Sequence, residues 1–170
     1  GAVNPEASLA YLRGRGNFNR LTKESLEQSI VQFKHAVEIE PAFAEAWSSL
    51  AAAQGMMALF GYTAPGPALQ ESRVSALKAL EADDQHYMGH AILGWVHWFA
   101  RDMTAACAAF EKALQLNPSD TSSLHGKADC LMLAGQMDES VRYKRSELTI
   151  PAIADELGVD IIIEGSALQS

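Results

Sequence analysis

Residues 93–118, LGWVHWFARDMTAACAAFEKALQLNP, decide the fold. Gly94, Ala106, Phe110, Ala113 and Pro118 follow Leu93 at spacings of 1, 13, 17, 20 and 25. Small residues at such intervals let two antiparallel helices approach closely, and the large ones fill the space left between them. The same text recurs upstream. Trp47, Leu50 and Ala51 are followed by Ser72, Ala76 and Ala79, and before them stand Ser29, Phe33, Ala36 and Pro41. Leu124, Ala128 and Leu131 open a fourth copy.

From Asp84 to Pro118 the period is 34 residues, the length of one tetratricopeptide unit. The chain resembles that family, which implies an all-α solenoid of helix-turn-helix units, here about three and a half repeats. From Pro41 to Asp84 the period is 43, so the second unit carries extra residues. Their expected place is a loop over Phe60–Leu69, where Gly61, Pro65, Gly66 and Pro67 interrupt the helical pattern. Caps and stripes predict helices near 6–18, 22–39, 42–60, 67–82, 86–100, 103–116 and 120–134, with an eighth from Met137. Asn4-Pro5-Glu6 and Thr22 are the clearest helix starts.

A narrower likeness rests on Asn4-Pro5-Glu6-Ala7 with Tyr11-Leu12-Arg13-Gly14-Arg15, the long second-unit loop and Leu93-Gly94-Trp95-Val96. These resemble the repeat region of bacterial class III adenylate cyclases and CadC-like winged-helix transcriptional regulators. The repeats are assigned to residues 1–141 and an appendage to 142–170, with a helix about 151–157 and a strand over 159–164. The appendage resembles part of a FlgO/TolB-N-like domain, which in those proteins precedes the repeats. Either residues after 141 form a capping helix and tail, or two separated stretches have been joined. Residues 146–170 are a candidate self-association segment, because a lone strand needs a partner for its edge.

Composition narrows the function. Of 170 residues, 13 are Lys or Arg and 21 Asp or Glu, a net charge of -8 that argues against nucleic-acid binding. The longest strongly apolar stretch, 91–100, is far too short to span a bilayer, and no signal peptide is recognisable at the start. Cys107 and Cys130 are too few for a disulfide framework and read as small buried hydrophobes, which makes cytoplasm the expected compartment.

No nucleophile triad or phosphate loop is present, so neither catalysis nor a cofactor is expected. His86 and His90 have the i, i+4 spacing of a metal pair, although His90 and His97 fall where large packing residues belong. The repeat pattern aims Glu45, Ser48 and Ala52, then Met88, Ala91, Trp95 and Trp98, then Ser122, His125 and Asp129 into the concave side. Family resemblance implies that a peptide or helix binds there. The chaperone-binding subset uses basic and amide residues to hold a carboxylate. The equivalent pairs here, Ser48/Ala52, Ala91/Trp95 and His125/Asp129, contain no Lys or Arg. Trp95 and Trp98 are the expected anchors, unless they only pack against the 60–69 loop. The expected function is a non-catalytic interaction module of a bacterial signalling or transcription-regulatory protein, binding a protein or peptide. The alternatives are a small-ligand pocket under the 60–69 loop, or self-association.

Overall fold

Asn4 and Thr22 start the first two helices as their side chains allow. Asn4 Oδ1 accepts from Glu6 N at 2.9 Å ahead of Pro5, and Thr22 and Ser25 cap each other reciprocally. The computed structural model describes residues 3–133. They form seven helices: α1 (Pro5–Phe18), α2 (Lys23–Ile39), α3 (Ala44–Leu59), α4 (Pro65–Ala82), α5 (Tyr87–Phe99), α6 (Met103–Leu116) and α7 (Thr121–Leu133). The boundary at 141, the helix 151–157, the strand 159–164 and association through 146–170 lie outside the described residues.

Helices α1 and α2, α3 and α4, and α5 and α6 pair as hairpins, each packed on the next. Successive odd helices also touch (α1 with α3, α3 with α5, α5 with α7), whereas among the described residues no two even helices meet. The odd helices are therefore crowded on an inner wall and the even helices spread on an outer one. This bends the stack around a concave side.

Side-chain volumes explain how the hairpins fit. A Cβ on Gly94 would lie 2.5 Å from Phe110 Cε1, and one on Gly126 would come closer still. The fully buried Phe110 ring thus sits between two glycines. In the first unit a Cβ on Gly14 would lie 2.5 Å from Phe33 Cε1, so Gly14 plays the part of Gly94. The second unit reverses the volumes. Ala76 takes the ring's place, and Ala51 and Ile92 take those of the glycines, all in one cluster with Leu93. Where α6 has Ala106, α2 and α4 have serines that reach across the hairpin. Ser29 Oγ lies 3.1 Å from Gly14 O, and Ser72 Oγ donates to Ala51 O at 2.8 Å.

The nine extra residues of the second unit are not one loop. The helix α3 has 16 residues against 13 in α5, and α4 has 18 against 14 in α6. Only residues 60–64 connect α3 to α4. Pro65 and Pro67 begin α4 rather than break it, because first-turn N–H groups have no helical partner to lose. The lengthened part is tied by Ser75 Oγ donating to Gln54 Oε1 at 2.8 Å and Gln54 Nε2 donating to Glu71 Oε2 at 3.2 Å.

The two cysteines also differ from expectation. Cys107 on α6 and Cys130 on α7 are disulfide-bonded, with Cα atoms 5.8 Å apart. Packing of α7 on α6 brings together residues 23 apart in sequence, and no local motif announces that. Among the described residues, no helix is long and apolar enough to cross a membrane.

Candidate binding groove

The inner wall opens into a groove of about 650 Å³ that is overwhelmingly apolar. One side is α3, through Ala52, Gly55, Met56 and Leu59; the floor is α5, through Met88, Ala91, Trp95, Trp98 and Phe99; Ser122 and His125 of α7 close it. Leu69 of α4 and Leu59 of α3 border it on either side of the connection, whose residues 60–64 do not line it.

The two indoles pack on aromatic neighbours, and Leu69 of the 60–69 segment lines the same cavity. Trp95 and Trp98 meet edge-on at 6.0 Å, Trp95 stands edge-on to Phe110 at 5.1 Å, and Trp98 to Phe99 at 5.4 Å. Trp95 Nε1 donates to Ser122 Oγ at 2.8 Å, which ties α5 to α7 across the groove. The Trp98 Nε1–H is buried and, among the described residues, has no acceptor. Leaving such a donor unpaired costs about 1–3 kcal/mol.

Beyond Ala52 and Met88 the groove continues into a second hollow of about 190 Å³, walled by Tyr11, Arg15, Phe18, Glu45, Ser48 and His86. His86 Nε2 lies 2.8 Å from Ser48 Oγ, and that hydroxyl donates to the Glu45 carbonyl at 3.1 Å. A hydroxyl carries one proton, so both bonds are made only when His86 Nε2–H is the donor. Burial holds the His86 pKa below its ordinary 6.5, opposed by Glu45 and Asp83 and reinforced by His90. The neutral ring is thereby favoured. His90 Nε2 instead sits 3.1 Å from the Asp84 carbonyl, so the two imidazoles hold separate partners. Among the described residues, no three His, Cys, Asp or Glu side chains cluster as a metal site.

Thus the structure gathers Glu45, Ser48, Ala52, Met88, Ala91, Trp95, Trp98, Ser122 and His125 along one groove, while Asp129 lines neither hollow. Sequence reasoning missed the first unit's share. Arg15 follows Gly14 as Trp95 follows Gly94, placing a cation on the wall, with its guanidinium 5.9 Å from the Tyr11 ring centre. The signal was available as Gly14-Arg15, but it does not follow a Leu-Gly pair.

Residues 90–120 match the tetratricopeptide repeat family model. The seven helices are packed as tetratricopeptide repeats. A thermophilic repeat protein of Thermus thermophilus superposes with a TM-score of 0.75 at 16% identity, covering 89% of this chain and 77% of that one. MamA gives 0.65 at 18% identity, covering 90% and 83%. The first repeat domain of Spaghetti (RPAP3), bound to the HSP90 peptide SRMEEVD, gives 0.62 at 12%, covering 76% and 94%. In sequence the repeats are distantly similar to the transcriptional regulator HilA of Salmonella typhimurium, 24% identical over 137 residues. HilA of Salmonella paratyphi A is 23% identical over 137 residues. That stretch is 81% of this chain but 25% of either regulator, so the chain spans about a quarter of the curated relatives it matches.

Proposed function

We propose that this tetratricopeptide array is a non-catalytic module that binds a peptide or helix of a partner protein in its concave groove. The observation that carries the reading is a large apolar groove on the inner wall with Trp95 and Trp98 clustered on its floor. A partner peptide or helix supplies the complement, apolar side chains that fill the groove. Trp95 and Trp98 are rigid, amphipathic and clustered at the centre, as binding hot spots are. The RPAP3 repeat domain, bound to an HSP90 peptide, supports peptide binding by a chain of this fold. Similarity to HilA supports a place within a bacterial transcription regulator, where the module couples a partner to an output domain.

The test is selection of a displayed peptide library against the full chain, followed by calorimetry. Selected peptides should carry apolar or aromatic anchors and lose about 10- to 100-fold in affinity for Trp98→Ala or Trp95→Ala. Peptides that bind both variants as tightly as wild type would place the site elsewhere.

A further inference from the structure

We propose that Cys107 and Cys130 are a reversible thiol–disulfide site that sets how firmly the α7 wall of the groove is held. The pair joins the last hairpin to α7 and closes a loop spanning 23 residues. It stands directly behind the groove, because Cys130 shares a core cluster with Ala106 and Phe110 against which Trp95, Trp98 and Cys107 pack.

Buried along α7 are Ser123, Gly126 and Ala128, whose burial removes little apolar surface from water, together with Leu124 and Leu131. The Lys127–Glu111 pair, at 3.3 Å, involves a solvent-exposed carboxylate, and such pairs contribute little. Phe110 against Gly126, the Trp95–Ser122 hydrogen bond and the disulfide also hold the helix. The cross-link acts chiefly by limiting the open ensemble, so its reduction loosens α7 while the other contacts persist.

The site is also chemically reachable. Cys130 is only 5% exposed, whereas Cys107 is half-buried on the α6 surface. A small thiolate attacks the Cys107 sulfur and forms a mixed disulfide, and Cys130 leaves as a thiolate and takes a proton. A second thiol then releases Cys107, so one disulfide and two small thiols become two protein thiols and one small disulfide. The reverse exchange, with a low-molecular-weight disulfide as oxidant, restores the bond.

The experiment equilibrates the full chain in glutathione buffers running from fully reduced to fully oxidised. Free thiols are counted by alkylation and mass spectrometry, alongside tryptophan fluorescence and amide exchange of α7. Expected is interconversion without denaturant, brighter emission on reduction as the disulfide quencher beside Trp95 and Trp98 is lost, and roughly 100-fold faster exchange confined to α7. Cys107→Ser should hold both signals at their reduced values in every buffer. Should that variant misfold, the wild-type titration alone decides. Two free thiols in oxidised glutathione, a bond that resists reduced glutathione in the folded chain, or α7 exchange indifferent to the bond would each overturn the proposal. None of these readouts depends on what the groove binds.

Discussion

Phe110 between Gly94 and Gly126, set against Ala76 between Ala51 and Ile92, makes a swap of volumes that can be run by mutation. Phe110→Ala alone empties a fully buried ring site and should cost about 3–5 kcal/mol. Gly94→Ala alone forces a methyl to within 2.5 Å of the ring. That overpacking costs about 1–3 kcal/mol, offset in part by the roughly 1 kcal/mol better helix propensity of Ala. Gly126→Ile drives a larger group into the same ring and should cost at least as much. Made together, the three substitutions copy the second unit's Ala51/Ala76/Ile92 arrangement. The Ile then occupies the vacated ring site and returns about 2–3 kcal/mol of burial, so the triple variant should lie within about 2 kcal/mol of wild type. Simple addition of the mid-range single effects would give a loss of about 6 kcal/mol. The assay is urea unfolding followed by far-ultraviolet circular dichroism, with the four variants and wild type in the same redox buffer. A triple variant destabilised by the sum of its parts would refute volume exchange as the basis of unit packing.

Other expectations follow from local geometry and titration. Gly61 and Arg101 occupy the same left-handed position after α3 and α5, with φ of 69° and 65°. Each turn is closed by matching bonds, Tyr62 N to Met57 O and Asp102 N to His97 O. Arg101→Gly should therefore raise stability by up to about 1 kcal/mol and Gly61→Ala lower it by about as much, both read from the urea midpoint. Because the folded state holds the His86 pKa below 6.5, the unfolded chain binds more protons there as pH falls. The His86 contribution is complete above pH 6.5 and is lost as pH falls from there through the folded pKa. The stability difference between wild type and His86→Gln should narrow over that acid range, and an unchanged difference between about pH 7.5 and about pH 5, which bracket an ordinary histidine, would contradict the assignment.

The hairpins were legible because the small positions recur wherever two helices touch: Gly94, Ala106 and Ala113 are each buried at an interhelical contact. The first unit was half-hidden for a physical reason. Its Gly14 meets Phe33 as Gly94 meets Phe110, but Gly14 and Phe33 lie three residues farther apart, so the spacing that marks the third unit fails there. Pro65 and Pro67 read as interruptions, since in isolation a proline signals a break and only its place in a first turn makes it permissive. The Cys107–Cys130 bond and the Ser48–His86 contact were not legible at all. Both join helices of neighbouring units, and which faces meet is set by the curvature of the stack.

The groove itself is tested most directly by photo-crosslinking in the cells that make this protein. A benzophenone amino acid is placed singly at Ala91 and at Ala52 on the inner wall, and at exposed Val74 on α4 of the outer one. The account predicts adducts to one partner segment from both inner positions and none from Val74. Adducts from Val74 alone, with both inner positions silent, would contradict it.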